Sequence, residues 1–264
     1  PASHDVVRGG VACELVHLGS LYHDDVMDEA ETRRGVETVN AKWGNLQAIL
    51  AGDFLLSRAS EIAASLGTEV AGLLARTIGW LCEGQIEVLR HTYDTSRTEA
   101  SYLASIHGKT ASLYGTAARI GGLAAGHDRP LVDALTEYGS AYGMVFQIVD
   151  DILDITATDE QLGKPAGHDI VEGVYTLPVL RTLAESTTAA QELGDLLGAP
   201  LDAVAQDQAL GILRSNDGVA SAVETAQEYV DRAVAACDDF PDSAATAALR
   251  AAPGALIASV SVTA

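Results

Sequence analysis

The sequence is poor in cysteine and has no long apolar run. Its three cysteines, Cys13, Cys82 and Cys237, are odd in number and far apart, which argues against a disulfide framework or a cysteine-based zinc site and fits a reducing compartment. No apolar run reaches the roughly 20 residues that a membrane span needs, and no signal-peptide pattern precedes the first helical segment. We therefore expect a cytoplasmic protein without a transmembrane segment.

Basic residues are also scarce. The chain has 16 lysines and arginines against 37 aspartates and glutamates, which gives a formal net charge of −21. Such a charge argues against nucleic acid or an anionic membrane as the primary partner. Only three of the basic residues are lysines, Lys42, Lys109 and Lys164, so the places where they occur are informative.

Aromatic residues make up only 5% of the chain, whereas 48% of it is hydrophobic, with many Ala and Leu residues. Gly and Pro fall mostly between long segments of helical period, which favours helix over strand. We predict a single all-α domain over residues 1–264, because no linker or change in composition divides the chain. The predicted helices cover residues 8–28, 43–65, 69–92, 98–123, 131–157, 175–193, 201–214 and 217–238. The final GALIASVSVTA receives no assignment.

The stretch LYHDDVMDEAETRRG, residues 21–35, places three aspartates in an otherwise apolar helix. With about 3.6 residues per turn, one helical face carries His17, Ser20, Asp24 and Asp28. Charged groups among apolar neighbours either face solvent or line an internal cavity, where a cation must compensate them. For one isolated stripe, solvent exposure is the commoner arrangement.

The same arrangement occurs a second time in YGMVFQIVDDILDI, residues 142–155. One face carries Gly143, Gln147, Asp150 and Asp154, and apolar residues cover the others, which predicts a central helix. Two buried acidic stripes repel each other unless cations lie between them. Oxygen ligands, with only His23 as a neighbouring nitrogen, suit Mg²⁺, which completes its coordination with water and phosphate oxygens. The sequence therefore predicts a magnesium-diphosphate site.

Four basic residues occur where the wall of such a site needs them. Arg33 and Arg34 follow the first stripe, and arginine suits forked contacts with phosphate oxygens. Lys109 in IHGKTASLYG and Lys164 in LGKPAGHD lie beside glycines or Thr110. Each of them alone is more often a solvated surface charge. Together with the doubled aspartates they favour a diphosphate pocket.

With these residues the sequence resembles the trans-polyprenyl diphosphate synthases, the isoprenoid chain-elongation family. LYHDDVMDEAETRRG resembles the first aspartate-rich motif of that family and FQIVDDILD its second. GKT at 108–110 matches the Lys-Thr motif, LAGDFLL at 50–56 the segment after the first motif, and LGKPAGHDIVEGVYTLP the region after the second. The ordered set covers about residues 8–240. It implies an antiparallel helical bundle around a central cavity, a homodimer, and Mg²⁺-dependent addition of isopentenyl diphosphate to an allylic diphosphate.

The resemblance also implies a role for each matching residue. The expected magnesium ligands, for three ions per site with diphosphate bound, are Asp24, Asp28 and Asp150. The expected supporting members of the metal site are Asp25, Asp151 and Asp154. The allylic diphosphate would be bound by Arg33, Lys109 and Lys164, and isopentenyl diphosphate by His17 and Arg34. The reacting centre would be lined by Thr110, Phe146 and Gln147. Catalysis would depend most on Asp24, Asp28, Asp150, Lys109, Thr110 and Gln147.

Product length can be argued from the first helix. The growing chain would run beside this helix from Asp24, and one helical turn of about 5.4 Å is close to one isoprene unit. Gly19 and Ser20 would form the upper floor of the tunnel, and Val16 lies on the next turn. Because these residues are small or modest in size, we predict a product longer than C20, of the C30 to C50 kind. A short-chain synthase making C15 to C20 products is the alternative.

The sequence departs from the family pattern in two places. No Gly-Gly-Lys-Arg segment precedes the first motif and the chain begins at Pro1, so we expect the N-terminal helices of the family to be missing. In EGVYTLP, Val174 stands where the family has a lysine. Three alternatives remain: a non-catalytic partner subunit of a heteromeric prenyltransferase, a terpene cyclase, and an inactive acidic scaffold. The intact aspartates disfavour a non-catalytic subunit, and the absence of an Asn-Ser-Glu-type motif disfavours a terpene cyclase. The doubled acidic stripes would have no explanation in an inactive scaffold.

Overall fold

The computed structural model describes residues 3–158 and 166–261 and confirms the predicted all-α class. In chain order its elements are α1 His4–Met27, β1 Thr32–Arg33, β2 Val36–Glu37, α2 Val39–Trp43, α3 Asn45–Ser65, α4 Thr68–Arg90, α5 Glu99–Ile106, a π-helical segment His107–Ala111, α6 Ser112–Ala124, α7 Arg129–Thr156, α8 His168–Val171, α9 Leu177–Ala184, α10 Thr188–Leu196, α11 Ala203–Arg214, α12 Gly218–Ala236, a 3₁₀ turn Cys237–Asp239 and α13 Ala244–Ser261.

Several helices begin at side chains that cap their first turn. The Ser3 hydroxyl accepts the N–H of Val6 at the start of α1, and Asp128 accepts the N–H of Leu131 at the start of α7. Such caps satisfy amide groups that have no partner inside the helix. These local signals explain why the sequence locates the long helices to within a few residues.

Helix α7 is the centre of the larger hydrophobic core, as predicted for the helix of the second acidic stripe. Val145, Ile148 and Ile152 have no solvent exposure, and the core around them includes residues of α9, α11 and α12. A second core lies between α1, α3, α4 and α6 and includes Val16 and Ile120. The two acidic motifs therefore belong to different packing layers.

The structure differs from the sequence prediction at four places. The predicted helix 98–123 contains a π segment, and the predicted helix 175–193 is broken between α9 and α10. A two-stranded hairpin, β1–β2, follows α1. Residues 254–261, which have no assignment from the sequence, continue α13, and this helix packs against α7 and α12 despite the internal Pro253. Because tertiary contacts stabilise α13, its weak sequence periodicity does not prevent helix formation.

In the part of the chain that the structure describes, no helix is both long enough and apolar enough to cross a membrane.

Candidate active site

The first acidic motif lies where α1 ends. Asp28 follows the last turn of α1, and its N–H donates to the carbonyl of Asp24 at 2.8 Å. The chain then folds back on the helix end, because the Asn40 side chain donates to the carbonyls of Asp25, at 3.2 Å, and Ala30, at 3.0 Å. Residues 29–40 thus hold one side of the motif in place.

The two arginines of the motif lie on the hairpin and have different environments. Arg33 is in β1, and its Nε donates to Oδ1 of Asp25 at 2.7 Å. Arg34 is exposed and forms the two-residue turn with Gly35, both with positive φ, 52° and 75°. This is the geometry of a tight hairpin turn, in which glycine is favoured. The hairpin therefore directs Arg33 back to the motif and leaves Arg34 at the surface.

Lys109 and Thr110 belong to the π-helical segment, which is packed between two glycines. A Cβ on Gly84 of α4 would lie 2.3 Å from the backbone nitrogen of Lys109, and a Cβ on Gly143 of α7 would lie 2.6 Å from Cα of Ala111. The segment can approach α4 and α7 this closely because neither glycine has a side chain. π-helical turns inside α-helices occur frequently at functional sites.

Asp24 lies in the field of Lys109. Burial raises the pKa of the Asp24 carboxyl above its ordinary value, and the positive charge of Lys109 is the strongest effect that opposes the shift. Asp28 raises this pKa further and Arg33 lowers it. The fold thus brings the end of α1 and the π segment, far apart in sequence, to one place.

The second motif is joined to the π segment by a line of side-chain hydrogen bonds. The Thr110 hydroxyl donates to Oε1 of Gln147 at 2.7 Å, and Nε2 of Gln147 donates to Oδ1 of Asp151 at 2.8 Å. The hydroxyl of Tyr102 donates to Oδ2 of Asp151 at 2.5 Å. Both oxygens of this buried carboxylate therefore accept hydrogen bonds from protein side chains.

Burial also acts on the charge of the second motif. It raises the pKa of Asp151 to about 7, against the hydrogen bonds from Tyr102 and Gln147, which lower it. Asp154 accepts the N–H of Asp169 at 3.0 Å, and its carbonyl accepts the N–H of Gly167 at 2.7 Å. These contacts hold Gly167 and Asp169, at the start of α8, against the motif.

Burial separates the six aspartates into two sets. Asp25, Asp151 and Asp154 are 3–4% exposed and accept hydrogen bonds from protein groups. The other three are more accessible: Asp24 is partly exposed, and Asp28 and Asp150 are exposed. In residues 3–158 and 166–261 no three acidic, histidine or cysteine side chains converge into a ready metal site. The accessible set offers only oxygen donors, which fits a hard divalent ion that also binds water and substrate oxygens.

Phe146 and Asp150 lie beside Tyr114 of α6. The rings of Phe146 and Tyr114 have their centroids 5.6 Å apart, and Phe146 is 38% exposed. Burial raises the pKa of Tyr114, and the charge of Asp150 contributes to the shift. An accessible aromatic face therefore lies next to the carboxylate of the second motif that is open to solvent.

The residues expected to set product length do not all face the same way. Ser20 is partly exposed one turn below Asp24, and His17 is partly exposed one turn further down. Gly19 instead packs on α3, since a Cβ there would lie 3.1 Å from the carbonyl oxygen of Gly52. Val16 is fully buried in the core between α1, α3, α4 and α6.

One further residue, His23, lies elsewhere than the sequence predicted. His23, expected within reach of the metal site, points to α3, where its Nε2 donates to the carbonyl of Ile49 at 3.1 Å and lies 3.5 Å from Oδ1 of Asp53. It packs over Gly52, which explains the small residue in LAGDFLL. Lys164 lies outside the described residues.

Sequence analysis did not identify Tyr102, Arg97 or Gly84 as parts of the site. Tyr102, which is buried, lies seven residues before Lys109 in the chain. The tyrosine was recognisable as a large polar-tipped residue in an apolar helix, whose hydroxyl needs a partner when buried. No sequence pattern indicated that this partner is Asp151.

Comparisons with known proteins agree on one family. A family model described as Polyprenyl synthetase matches residues 2–211. The chain is 42% identical over 253 residues to the nonaprenyl diphosphate synthase of Mycobacterium tuberculosis, covering 94% of this chain and 76% of that protein. It is 40% identical over 241 residues to heptaprenyl diphosphate synthase component 2 of Geobacillus stearothermophilus, covering 91% and 75%.

Solved structures agree as well. The heptaprenyl diphosphate synthase of Staphylococcus aureus superposes with a TM-score of 0.91 at 30% identity, covering 97% of this chain and 80% of that one. The geranylgeranyl pyrophosphate synthase of Corynebacterium glutamicum, complexed with calcium and isoprenyl diphosphate, superposes with a TM-score of 0.86 at 39% identity, covering 98% and 79%.

Proposed function

The chain belongs to the polyprenyl synthetase family, and on that premise we propose that it is a trans-prenyltransferase that condenses isopentenyl diphosphate with an allylic diphosphate, head to tail. The proposed product is an all-trans polyprenyl diphosphate longer than C20. The observation that carries the proposal is the meeting of Asp24, Lys109 and the line from Thr110 to Asp151 in one place. The nonaprenyl and heptaprenyl relatives support the long product.

The accessible aspartates are the proposed magnesium ligands. Asp24 and Asp28 would hold the ions from the α1 side and Asp150 from the α7 side, with three ions per site when diphosphate is bound. Bound magnesium supplies the positive charge that makes the allylic diphosphate a leaving group. Of the three buried aspartates, Asp25 holds Arg33 and Asp154 holds the segment at Asp169, so both would support the site from behind.

Basic residues bind the two diphosphates in this proposal. Lys109 would contact the allylic diphosphate as a point charge, and Arg33 would contact it through its terminal nitrogens while its Nε stays on Asp25. Lys164 keeps the same proposed role. Isopentenyl diphosphate would be bound by His17 and Arg34.

In this proposal the reacting centre faces the bond between the allylic carbon and the diphosphate oxygen, which breaks in the reaction. The Thr110 hydroxyl, the Gln147 amide and the ring of Phe146 present oxygen dipoles and a π face, which stabilise a transient allylic cation. The double bond of isopentenyl diphosphate adds to this cation, and the departing pyrophosphate accepts the proton that is then lost. Apolar walls keep out water that would otherwise trap the cation.

The proposed assembly is a homodimer. Large apolar side chains are exposed along α3 and α4, which pack against each other: Leu46, Ile49, Leu50, Phe54, Trp80, Ile86 and Leu89. A contiguous apolar face of this kind marks an interaction surface, and a second copy of the chain is the proposed occupant. The alternative is a heterodimer in which a different protein binds the same face, and the likeness to a protein named component 2 favours it.

The test is product formation by the chain with Mg²⁺, farnesyl or geranylgeranyl diphosphate and labelled isopentenyl diphosphate, with products separated by length. We expect products longer than C20. Asp24→Ala and Asp150→Ala should abolish turnover without changing the circular dichroism spectrum. The control is Asp195→Ala, on the exposed side of α10, which should leave turnover unchanged. Absence of both product and Mg²⁺-dependent binding of the allylic diphosphate would refute the proposed function.

A further inference from the structure

Tyr102 is a buried residue on α5 that none of the roles above uses. It is 1% exposed, and its hydroxyl donates to Asp151 across 49 residues of sequence. A buried phenol without a partner would be costly, and a carboxylate is a strong acceptor. The contact therefore couples α5 to the second acidic motif on α7.

The hydrogen bonds beyond Asp151 have one consistent direction. Oδ2 of Asp151 accepts from the Tyr102 hydroxyl and Oδ1 accepts from Gln147, so Gln147 turns its amide nitrogen toward Asp151. The amide oxygen of Gln147 then faces the π segment, where it accepts the Thr110 hydroxyl. The orientation of two groups proposed for the reacting centre thus depends on the position of one buried carboxylate.

Arg97 holds Tyr102 from the other side. Its guanidinium carbon lies 5.7 Å from the centroid of the Tyr102 ring, and the residue is 5% exposed. Nη2 donates to the Ser105 hydroxyl at 2.5 Å and Nη1 to the carbonyl of Tyr175 at 3.3 Å, while the Ser105 hydroxyl donates to the carbonyl of Tyr102 at 2.7 Å. Tyr102 is therefore fixed at its ring and at its backbone.

We propose that Tyr102 is a positioning residue of this site: its hydroxyl holds the Asp151 carboxylate, which sets the orientation of the Gln147 amide and the Thr110 hydroxyl. The inference rests on the proposed prenyl transfer. It assigns Asp151 to the supporting set, because this carboxylate is buried and each of its oxygens accepts a hydrogen bond from a protein side chain. Asp151 then holds the reacting centre in place and does not coordinate the ions.

The first experiment compares Tyr102→Phe with Tyr138→Phe. Tyr138 is a matched control on α7, buried, with its hydroxyl donating to the carbonyl of Leu249 at 2.9 Å, away from the site. We expect Tyr102→Phe to lower kcat by about tenfold, the effect of one lost hydrogen bond to a charged group. KM for both substrates and calorimetric binding of an allylic thiolodiphosphate in Mg²⁺ should stay within twofold. Tyr138→Phe should leave kcat unchanged.

A double-mutant cycle separates positioning from general loss of structure. If Tyr102 acts through Thr110, then Tyr102→Phe should lower kcat much less in a Thr110→Val background than in the native chain. If Tyr102→Phe and Thr110→Val lower kcat independently, so that their effects multiply in the double variant, the inference is overturned. It is also overturned if Tyr102→Phe has the same kcat as Tyr138→Phe. Both outcomes require an active wild-type chain. Failure of the wild type both to form product and to bind the allylic diphosphate with Mg²⁺ would instead overturn the proposed function, on which this inference rests.

Magnesium titration provides the second readout. Asp151→Asn keeps the shape of the buried side chain, so the Mg²⁺ concentration that gives half-maximal binding of the thiolodiphosphate should change less than twofold. Asp150→Asn should raise that concentration more than tenfold, since it removes a proposed ligand. An equal rise in both variants would show that Asp151 is itself a ligand and would contradict the positioning role.

Discussion

Neighbouring aspartates of the same motif differ in what surrounds their oxygens. Asp150 is exposed, whereas Asp151, the next residue on α7, is buried with two side-chain donors. In the first motif Asp25 is buried against Arg33, and Asp28 is exposed at the helix end. The helical rotation of about 100° per residue sends adjacent side chains to different environments. Identical residues in one motif therefore differ in environment.

Ser20 carries the prediction about product length. Ser20→Phe should shorten the longest products to C15–C20, because a phenyl ring one turn below Asp24 fills the space into which the chain grows. The measurement is the length distribution of labelled products. Val11→Phe is the control, since Val11 is exposed on another face of α1 and should leave the distribution unchanged. An unchanged distribution in Ser20→Phe would mean that the chain does not pass this residue.

The π segment is the element that joins the two halves of the site. It carries Lys109, which faces the first motif, and Thr110, which contacts the second through Gln147. In an uninterrupted α-helix from α5 to α6, these two side chains would point in other directions around the helix axis. The segment keeps its geometry because Gly84 and Gly143 allow close contact from both sides.

Gly84→Ala tests the dependence of the site on this segment. The added methyl group would overlap the backbone of Lys109, so we expect a loss of about 1–3 kcal/mol in the free energy of unfolding and a fall in kcat. Urea unfolding and steady-state kinetics measure the two effects. Gly79→Ala on the same helix meets no atom within 4 Å and should be neutral or stabilising, by up to about 1 kcal/mol. Equal behaviour of the two variants would contradict the close packing described here.

At the scale of the whole molecule, a strongly acidic chain exposes large apolar side chains on two helices that pack together, α3 and α4. Leu46, Leu50 and Phe54 are 59–66% exposed and are spaced four residues apart along α3, so they form one stripe. Two chains that each carry a formal charge of −21 repel each other, so apolar contact must supply the attraction between two copies. The α3–α4 face is the proposed contact.

The double variant Leu50→Glu, Phe54→Glu should convert the proposed dimer to a monomer. Its two new glutamates in each copy would bury four charges in the interface. Sedimentation equilibrium should give twice the 27.4 kDa of one chain for the native protein and a single-chain mass for the variant. Val204→Glu, at an exposed apolar residue of α11, should remain dimeric. A native mass of one chain would contradict the homodimer and favour a different partner chain.

The sequence by itself determined the helical class, most helix positions and the identity of the groups in the site. Periodicity, caps and turn residues are local, so α3 and α4 begin and end within two residues of the predicted bounds. The aspartate motifs and GKT are also local patterns, which is why the family and its function were readable before the fold. Lys164 stays a prediction, as do the individual roles of the site residues.

Only the tertiary structure decided which side chains meet. The hairpin that brings Arg33 to Asp25, the π turn at Lys109 and the packing of α13 depend on contacts between distant residues. Gly19 faces α3 although it lies only one residue further from Asp24 in the sequence than Ser20 does. Tyr102 meets Asp151, 49 residues away in the sequence, because its ring lies in the core around α7. Sequence periodicity fixes which face of a helix is polar, whereas the partner of that face is set by how the helices pack together.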